Sequence, residues 1–185
     1  YLQKYGIRDY RGSGRASGRE TAGRVAAGAI ARKLLARRGV SVLAYTVRAA
    51  GIQCERFEPG QIEDNMLRAC DPDAAERMMQ RIAEVKETED SVGGVVECRV
   101  SGIDPGLGEP VFDKLDAQLA YAMLSVGAVK GIEFGAGFAA ADMTGSEHND
   151  QMGTDGFVTN NAGGIIGGIS TGMDIVFRVA VKPVS

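Results

Sequence analysis

The chain has 185 residues, 44 % hydrophobic and 24 % charged, the composition of an ordinary soluble globular domain. Its net charge of −3 argues against a general nucleic-acid-binding protein, which is usually basic, and no apolar run approaches the ~18 residues of a membrane span. Glycine is unusually frequent, at 26 residues. Because no collagen-like period accompanies them, these glycines predict tight turns and close approaches of the backbone.

The first predicted element is a helix that follows the stretch GSGRASGRETAGR, residues 12–24. Ser17 with Glu20 three residues later matches a capping box, so we expect Ser17 to cap the helix. Small and apolar residues follow. Gly39 stands where a C′ glycine would, just past the predicted end of the helix. The many alanines and glycines make this helix slim enough for another backbone to pack closely against it.

The arginines at the start of this helix suggest a function. Arg15 precedes the predicted cap and Arg19 lies in the predicted first turn. Cations there oppose the helix dipole unless an anion binds, and guanidinium groups bind phosphate and carboxylate with paired hydrogen bonds. The residue types therefore favour an anion site slightly over a solvated basic turn, without indicating which anion.

The remaining elements alternate between strands and helices along the chain. Strands are predicted at 41–51, 93–103, 128–134 and 174–181, and helices at 71–87 and 113–125. Since the connections are too long and irregular for doubly wound units, we expect an α/β (α+β) domain arranged as a layered sandwich. Three cysteines at wide spacing, Cys54, Cys70 and Cys98, are typical neither of a disulfide framework nor of a zinc site, and predict reduced thiols in a cytoplasmic protein.

A long glycine-rich segment separates the last two strands, and segments of this kind are usually functional or disordered. Within it, NNAGGIIGGIS (160–170) has two Gly-Gly pairs without the P-loop or dinucleotide spacing. It leaves room for a bulky ligand or for packing against a neighbouring subunit. His148, the single histidine, is interpreted as a surface residue, so no transition-metal site is expected. We prefer a solvated acidic loop to a hard-cation site for the nearby carboxylates Asp142, Glu147, Asp150 and Asp155.

Five segments together resemble the chorismate synthase family: KYGIRDYRGSGRASGRETAGRVAAGAIA, AVKGIEFGAGF, GSEHND, GFVTNNAGGIIGGISTG and VKP. They occur in the family's order and span nearly the whole chain. The resemblance implies a lyase that converts 5-enolpyruvylshikimate 3-phosphate to chorismate by 1,4-elimination of phosphate and requires reduced FMN. It also implies a β-α-β sandwich with helices between antiparallel sheets, and a homotetramer.

The resemblance also assigns site residues. Those implied to contact FMN are Arg15, Ala16, Ser17, Gly127, Ala128, Gly167, Lys182, Pro183, Val184 and Ser185. Arg19 is the residue expected to contact the anionic groups of the substrate. The family usually has serine, asparagine and threonine where Ala16, Gly127 and Val184 stand, so weaker flavin binding or contacts through the backbone are expected.

The resemblance further indicates an incomplete single domain, residues 1–185. The family's two general-acid histidines would lie before Tyr1, and an aspartate implicated in proton removal from the flavin would lie beyond Ser185. No catalytic residue or metal ligand is therefore assigned within this chain, and the isolated chain is expected to be inactive. Two alternatives stay open: a non-catalytic module that binds flavin or phosphate, and a structural piece whose glycine loops pack subunits together.

Overall fold

The computed structural model describes residues 1–184, so the predicted site residue Ser185 lies outside the described residues. The chain combines α-helices with antiparallel β-sheet, as the sequence predicts. Within the described part, the α-helices are α1 (Leu2–Tyr5), α2 (Glu20–Ala36), α3 (Pro72–Glu87), α4 (Leu115–Leu124) and α5 (Gly145–His148). None of the helices among residues 1–184 is both long enough and apolar enough to cross a membrane.

One five-stranded antiparallel sheet organises the chain. The strands are β1 (Ser41–Ala49), β2 (Ile52–Gln53), β3 (Gly94–Ser101), β4 (Val129–Phe134), β5 (Met152–Gly153), β6 (Gly156–Phe157), β7 (Ile165–Ile166), β8 (Ile169–Ser170) and β9 (Ile175–Val181). The large sheet has the order β2-β1-β3-β9-β4, while β5-β6 and β7-β8 form two short hairpins. The last strand in the sequence therefore lies between β3 and β4.

Helix α4 covers one face of the sheet. Its Leu115, Leu119 and Met123 recur every four residues and pack against a buried cluster that includes Phe177 and Val179 of β9. Residues that alternate along β3 complete this face, as the sequence predicts for Val96, Cys98 and Val100. This packing fixes the position of both ends of α4.

Helix α3 begins at the position that the sequence predicts, because Asp71 caps it. The Asp71 side chain is 2 % exposed and accepts hydrogen bonds from the backbone N–H groups of Asp73 and Ala74. It also accepts hydrogen bonds from the backbone of Glu55 and from the backbone and guanidinium of Arg56. Burial alone would raise the pKa of Asp71, but these hydrogen bonds lower it to about 2. One carboxylate thus joins α3 to the segment that follows β2.

Helix α2 differs from the prediction at its start. The helix begins at Glu20 with Arg19 as N-cap, and Ser17 Oγ accepts only a long 3.4 Å hydrogen bond from Arg19 N. The predicted Ser17–Glu20 capping box is therefore wrong. A short 3-10 turn at Gly14–Ala16 precedes the helix, which therefore begins later in the sequence, at Glu20. Gly39 ends this part of the chain in a left-handed conformation (φ 77°), as predicted, and no α2 residue is buried.

The glycine-rich segment is ordered rather than a structureless loop. It contains a 3-10 helix at Gly137–Asp142, helix α5 and the two hairpins. Gly135 and Gly163 bring two backbones together so closely that a Cβ on Gly135 would overlap the carbonyl of Asn161. Among the described residues, all three cysteines are free, as expected.

Replacing Asp71 with alanine would lower the free energy of unfolding by about 2–4 kcal/mol, because four backbone N–H groups and Arg56 lose their acceptor. A carboxylate whose pKa is lowered by folding stabilises the protein above its unfolded pKa of about 4, and this contribution disappears as the pH falls toward 2. Urea unfolding followed by circular dichroism between pH 2 and pH 7 measures both effects. The matched control is Asp64→Ala, at an exposed carboxylate; equal loss of stability in both variants would contradict the assignment.

Candidate functional site

A cavity of about 400 Å³ lies between the first turn of α2 and the C-terminal end of α4. Three stretches contribute: the 3-10 turn before α2, the first turn of α2, and the residues that connect α4 to β4. The lining residues are Arg15, Ala16, Ser17, Glu20, Thr21, Arg24, Leu124, Ser125, Val126, Gly127, Ala128, Val129 and Lys130. Thus two widely separated stretches that the sequence assigns to flavin binding line one cavity.

The cavity has an excess of positive charge. Arg15, Arg24 and Lys130 face one carboxylate, that of Glu20. The Arg15 side chain is 95 % exposed, and its Nε lies 4.0 Å from Glu20 Oε1, which is a weak ion pair. The backbone N–H groups of Glu20, Thr21 and Ala22 at the start of α2 already donate to the carbonyls of Ser17, Gly18 and Arg19, so the positive charge comes from the side chains. Such a surface is suited to an anion that accepts several hydrogen bonds.

Arg24 holds the two helices together across this cavity. Its Nη2 donates to the carbonyl oxygen of Ser125 at 3.1 Å and to Ser125 Oγ at 3.3 Å. Ser125 follows the last turn of α4, where unpaired carbonyl groups carry partial negative charge. Arg24 therefore provides a hydrogen-bond donor for the Ser125 carbonyl at the end of α4, and its side chain also lines the cavity.

The connection from α4 to β4 is shaped by its backbone. Ala128 has a positive φ of 70°, an unusual conformation for alanine, and a Cβ on Gly127 would meet nothing within 4 Å. The carbonyl of Ala128 accepts a 2.9 Å hydrogen bond from the backbone N–H of Lys182. This bond places the backbone of Lys182 next to Ala128, although residues 182–184 do not line the cavity. Lys182 Nζ donates to the carbonyl of Pro183. The carbonyl of Val184 accepts a hydrogen bond from Ser91 Oγ.

A second cavity, of about 690 Å³, shares Arg15 and Ala16 with the first and extends along the N-terminal segment. Aromatic and aliphatic side chains, including Tyr1 and Tyr5, line it together with Arg8. Arg11 is engaged by Asp9 through two hydrogen bonds of 2.8 and 2.9 Å. The 3-10 turn at Gly14–Ala16 therefore separates two neighbouring cavities, each with at least one arginine.

Five described residues of the predicted site do not line the first cavity: Arg19, Gly167, Lys182, Pro183 and Val184. Arg19 is the exposed N-cap of α2 and lines neither of the two cavities. Gly167 lies in the β7–β8 turn with φ 62°, and the carbonyl of its neighbour Gly168 accepts a hydrogen bond from Leu115 N. Leu115 is the first residue of the 10-residue α4, so Gly167 lies one helix length, about 15 Å, from Gly127.

Sequence reasoning did not single out several residues of the first cavity. Arg24 lies four residues after Glu20, so both occupy one face of α2, and this spacing was the available signal. Lys130 stands within the matched segment AVKG, two residues after Ala128. Ser125 enters the cavity only because α4 ends there, which depends on the packing of the helix and has no local sequence signal.

Three carboxylates of the acidic loop, Asp142, Glu147 and Asp155, are exposed, as the interpretation of a solvated loop expects, while Asp150 is partly buried. Glu147 accepts hydrogen bonds from the backbone and hydroxyl of Thr144 in a capping box of α5, and Asp150 accepts three hydrogen bonds from residues 159–162. No cluster of three or more potential metal ligands occurs in the part of the chain that the structure describes. Glu147 and Asp150 therefore organise the loop.

A larger cleft, of about 980 Å³, lies on the sheet face opposite α4. Its arginines are already near carboxylates: Arg178 Nε lies 2.8 Å from Glu133 Oε1, and Arg99 lies 3.9 Å from Glu97. None of the residues that the sequence assigns to ligand binding lines this cleft. Its lining has three carboxylates and two arginines, so the smaller cavity at α2 is the better anion site.

Comparison with known proteins identifies the family of this chain. The family model for chorismate synthase matches residues 1–185. A chorismate synthase of Syntrophobacter fumaroxidans is 61 % identical over 184 residues, which cover 100 % of this chain and 52 % of that protein. A chorismate synthase of Methanosarcina mazei is 51 % identical over 191 residues, covering 99 % of this chain and 52 % of that protein. The chain thus spans about half the length of the curated relatives it matches.

A solved structure shares the fold. A crystal structure of chorismate synthase superposes with a TM-score of 0.84 at 37 % sequence identity, covering 91 % of this chain and 57 % of that chain. The agreement includes the mixture of helices and antiparallel sheet described above.

Replacing Arg24 with alanine in the full-length gene product would weaken the binding of inorganic phosphate about tenfold, since the cavity loses one charge-assisted hydrogen-bond donor. Isothermal titration calorimetry with phosphate measures this. The matched control is Arg32→Ala, an exposed position on the same helix away from the cavity. Unchanged phosphate affinity in the Arg24 variant would show that the cavity is not the anion site.

Proposed function

Because the chain belongs to the chorismate synthase family, we propose that this protein is a lyase of aromatic amino-acid biosynthesis. It converts 5-enolpyruvylshikimate 3-phosphate to chorismate and phosphate by a 1,4-elimination that requires reduced FMN. The observation that carries this proposal is the cavity at α2, where Arg15–Ser17 and Gly127–Ala128 meet around an excess of positive charge. Both the cofactor and the substrate carry phosphate, which this charge suits.

The residues of the cavity fit FMN in size and chemistry. A volume of about 400 Å³ is within the range of small-molecule sites. Arg15 and Lys130 supply cationic donors, while Leu124 and Val129 supply apolar surface. Nothing lies within 4 Å of the position of a Cβ on Gly127, which leaves room for a flat ligand on this side.

We assign the roles as follows. Arg15 holds an anionic group and neutralises its charge. Lys182 to Val184, held next to Ala128 by the backbone hydrogen bond of Lys182, contact the cofactor from that side. Arg19, exposed at the helix start, binds an anionic group of the substrate and stabilises the departing phosphate electrostatically. When bound, reduced FMN supplies transient electron density that assists the loss of phosphate.

Two further expectations belong to the same proposal. Gly167 approaches the flavin from the β7–β8 turn, at the end of α4 remote from Gly127. The enzyme acts as a cytoplasmic homotetramer. Free thiols and the exposed apolar side chains of α2, among them Val25 and Ile30, support these expectations.

Two arginine variants of the full-length gene product test the site. Arg15→Ala would weaken FMN binding at least tenfold, because a charge-assisted contact to the cofactor is lost. Arg19→Ala would raise the KM for 5-enolpyruvylshikimate 3-phosphate at least tenfold while changing FMN affinity less. Flavin fluorescence titration and steady-state chorismate formation measure the two effects, with Arg38→Ala, beyond the end of α2, as control. If both variants bind flavin and substrate as tightly as the unaltered protein, the assignment fails.

The 185-residue chain tested alone would form chorismate at a rate at least ~10⁴-fold below that of the full-length gene product. The reason is that the resemblance places both general-acid histidines outside this chain, and general acids contribute roughly 10²–10⁴-fold each. The assay combines FMN, a reductant and 5-enolpyruvylshikimate 3-phosphate under anaerobic conditions. Comparable rates for the two proteins would contradict this expectation, and FMN binding without turnover would identify the chain as a flavin-binding module.

A further inference from the structure

Asp150 lies outside the two cavities beside Arg15. Its carboxylate binds loop residues 159–162, which come directly before the first Gly-Gly pair. Its Oδ1 accepts hydrogen bonds from Thr159 Oγ1 at 2.6 Å and from Asn161 N at 2.7 Å. Its Oδ2 accepts a hydrogen bond from Ala162 N at 2.8 Å. Two consecutive backbone N–H groups thus converge on one carboxylate, which occupies the place that an external anion takes in other loops.

This carboxylate is charged at neutral pH. Partial burial alone would raise the pKa of Asp150, but the hydrogen bonds from Thr159, Ala162 and Asn161, together with nearby His148, lower it below its usual value. The three contacts are therefore charge-assisted and stronger than hydrogen bonds between neutral groups.

The two asparagines in the loop extend this attachment. The side chain of Asn160 donates to the carbonyl of Asp174 at 2.8 Å, just before β9. The side chain of Asn161 donates to the carbonyl of Glu147 at 3.1 Å, in α5. The carbonyl of Asn161 in turn accepts a 2.8 Å hydrogen bond from Ala136 N. Residues 160 and 161 are consequently fixed to three separate parts of the fold.

The next residues leave no room for adjustment. Gly163 and Gly164 have φ values of 68° and 80°, and a Cβ on either would overlap the backbone of a neighbouring segment. Gly163 also accepts a 3.1 Å hydrogen bond from Val176 N of β9. A shift of residues 160–162 therefore moves the start of the β7–β8 hairpin, which carries Gly167 in its turn.

The other end of the hairpin is fixed independently. Ser170 is 4 % exposed, and its Oγ donates to the carbonyl of Asp104 at 2.7 Å and accepts from Leu107 N at 2.9 Å. At the turn, Gly168 accepts from Leu115 N of α4. Asp150 is thus the charged residue that holds the N-terminal side of the β7–β8 hairpin through residues 159–162.

We propose that Asp150 is a positioning residue for flavin binding: its carboxylate fixes residues 159–162 and thereby the turn that presents Gly167. This inference rests on the proposed function, because Gly167 matters only if the hairpin contacts the cofactor. It adds to that function a residue that touches no cavity beside α2 and acts through the loop.

Two substitutions in the full-length gene product test the role. Asp150→Asn keeps the shape and one oxygen acceptor but loses the charge and the acceptor for Ala162 N. It would raise the Kd for FMN about tenfold, whereas Asp150→Ala would raise it more. The matched control is Asp155→Asn in the adjacent β5–β6 turn, an exposed carboxylate, which would bind FMN unchanged.

Further readouts separate positioning from a general loss of structure. In Asp150→Asn, kcat would recover at saturating FMN and the KM for 5-enolpyruvylshikimate 3-phosphate would be unchanged, although the loss of charge-assisted hydrogen bonds lowers the thermal midpoint. A kcat that saturating FMN does not restore would show a general structural role and overturn the inference. Unchanged FMN affinity in Asp150→Asn, with the unaltered protein binding FMN, would also overturn it and leave the proposed function intact. Failure of the unaltered protein to bind FMN would overturn both.

Discussion

The burial of one face of α4 against the sheet determines where the candidate site can form. Leu115, Leu119 and Met123 recur at four-residue spacing and pack on the core around Phe177. These three side chains are only partly buried, so each contributes less than the roughly 1.5–3 kcal/mol of a fully buried one, but together they hold the helix along its length. One end of α4 then meets Arg24 and the anion cavity, and the other end meets the β7–β8 turn.

The electrostatics of the site follow from this placement. The C-terminal end of α4 and the first turn of α2 lie on two sides of one cavity. Arg24 donates to the carbonyl of Ser125 at the end of α4, whereas Arg15 makes only a weak ion pair and is exposed to a ligand. The arginines of the larger cleft are less available to an anion, because Arg178 is paired with Glu133 and Arg99 lies near Glu97.

Local signals in the sequence predicted most of the fold. Asp71 and Pro72 marked the start of α3, and the alternation of Val96, Cys98 and Val100 marked the inner face of β3. The Ser17 cap was wrong because its spacing to Glu20 also suits a chain that first makes a 3-10 turn. Spacing alone does not decide between these two geometries.

The candidate site was predicted less completely, because it depends on contacts between distant residues. The family motifs indicated Arg15–Ser17 and Gly127–Ala128, and the structure places both in one cavity. Ser125 joins them only through the packing of α4, and Gly167 lies at the other end of that helix. The hydrogen bonds from residues 159–162 to Asp150 join residues about ten positions apart in irregular chain. Sequence periodicity does not predict such contacts.

Helix α2 has a consequence for how the site responds to its surroundings. None of its residues is fully buried and its contacts with the rest of the described chain are few, so packing contributes little to the stability of this 17-residue helix. Its first turn nevertheless forms one wall of the cavity. Fraying of this turn and occupancy of the cavity are therefore linked equilibria: solution conditions that loosen the helix weaken anion affinity, and a bound anion shifts the chain toward the helical state.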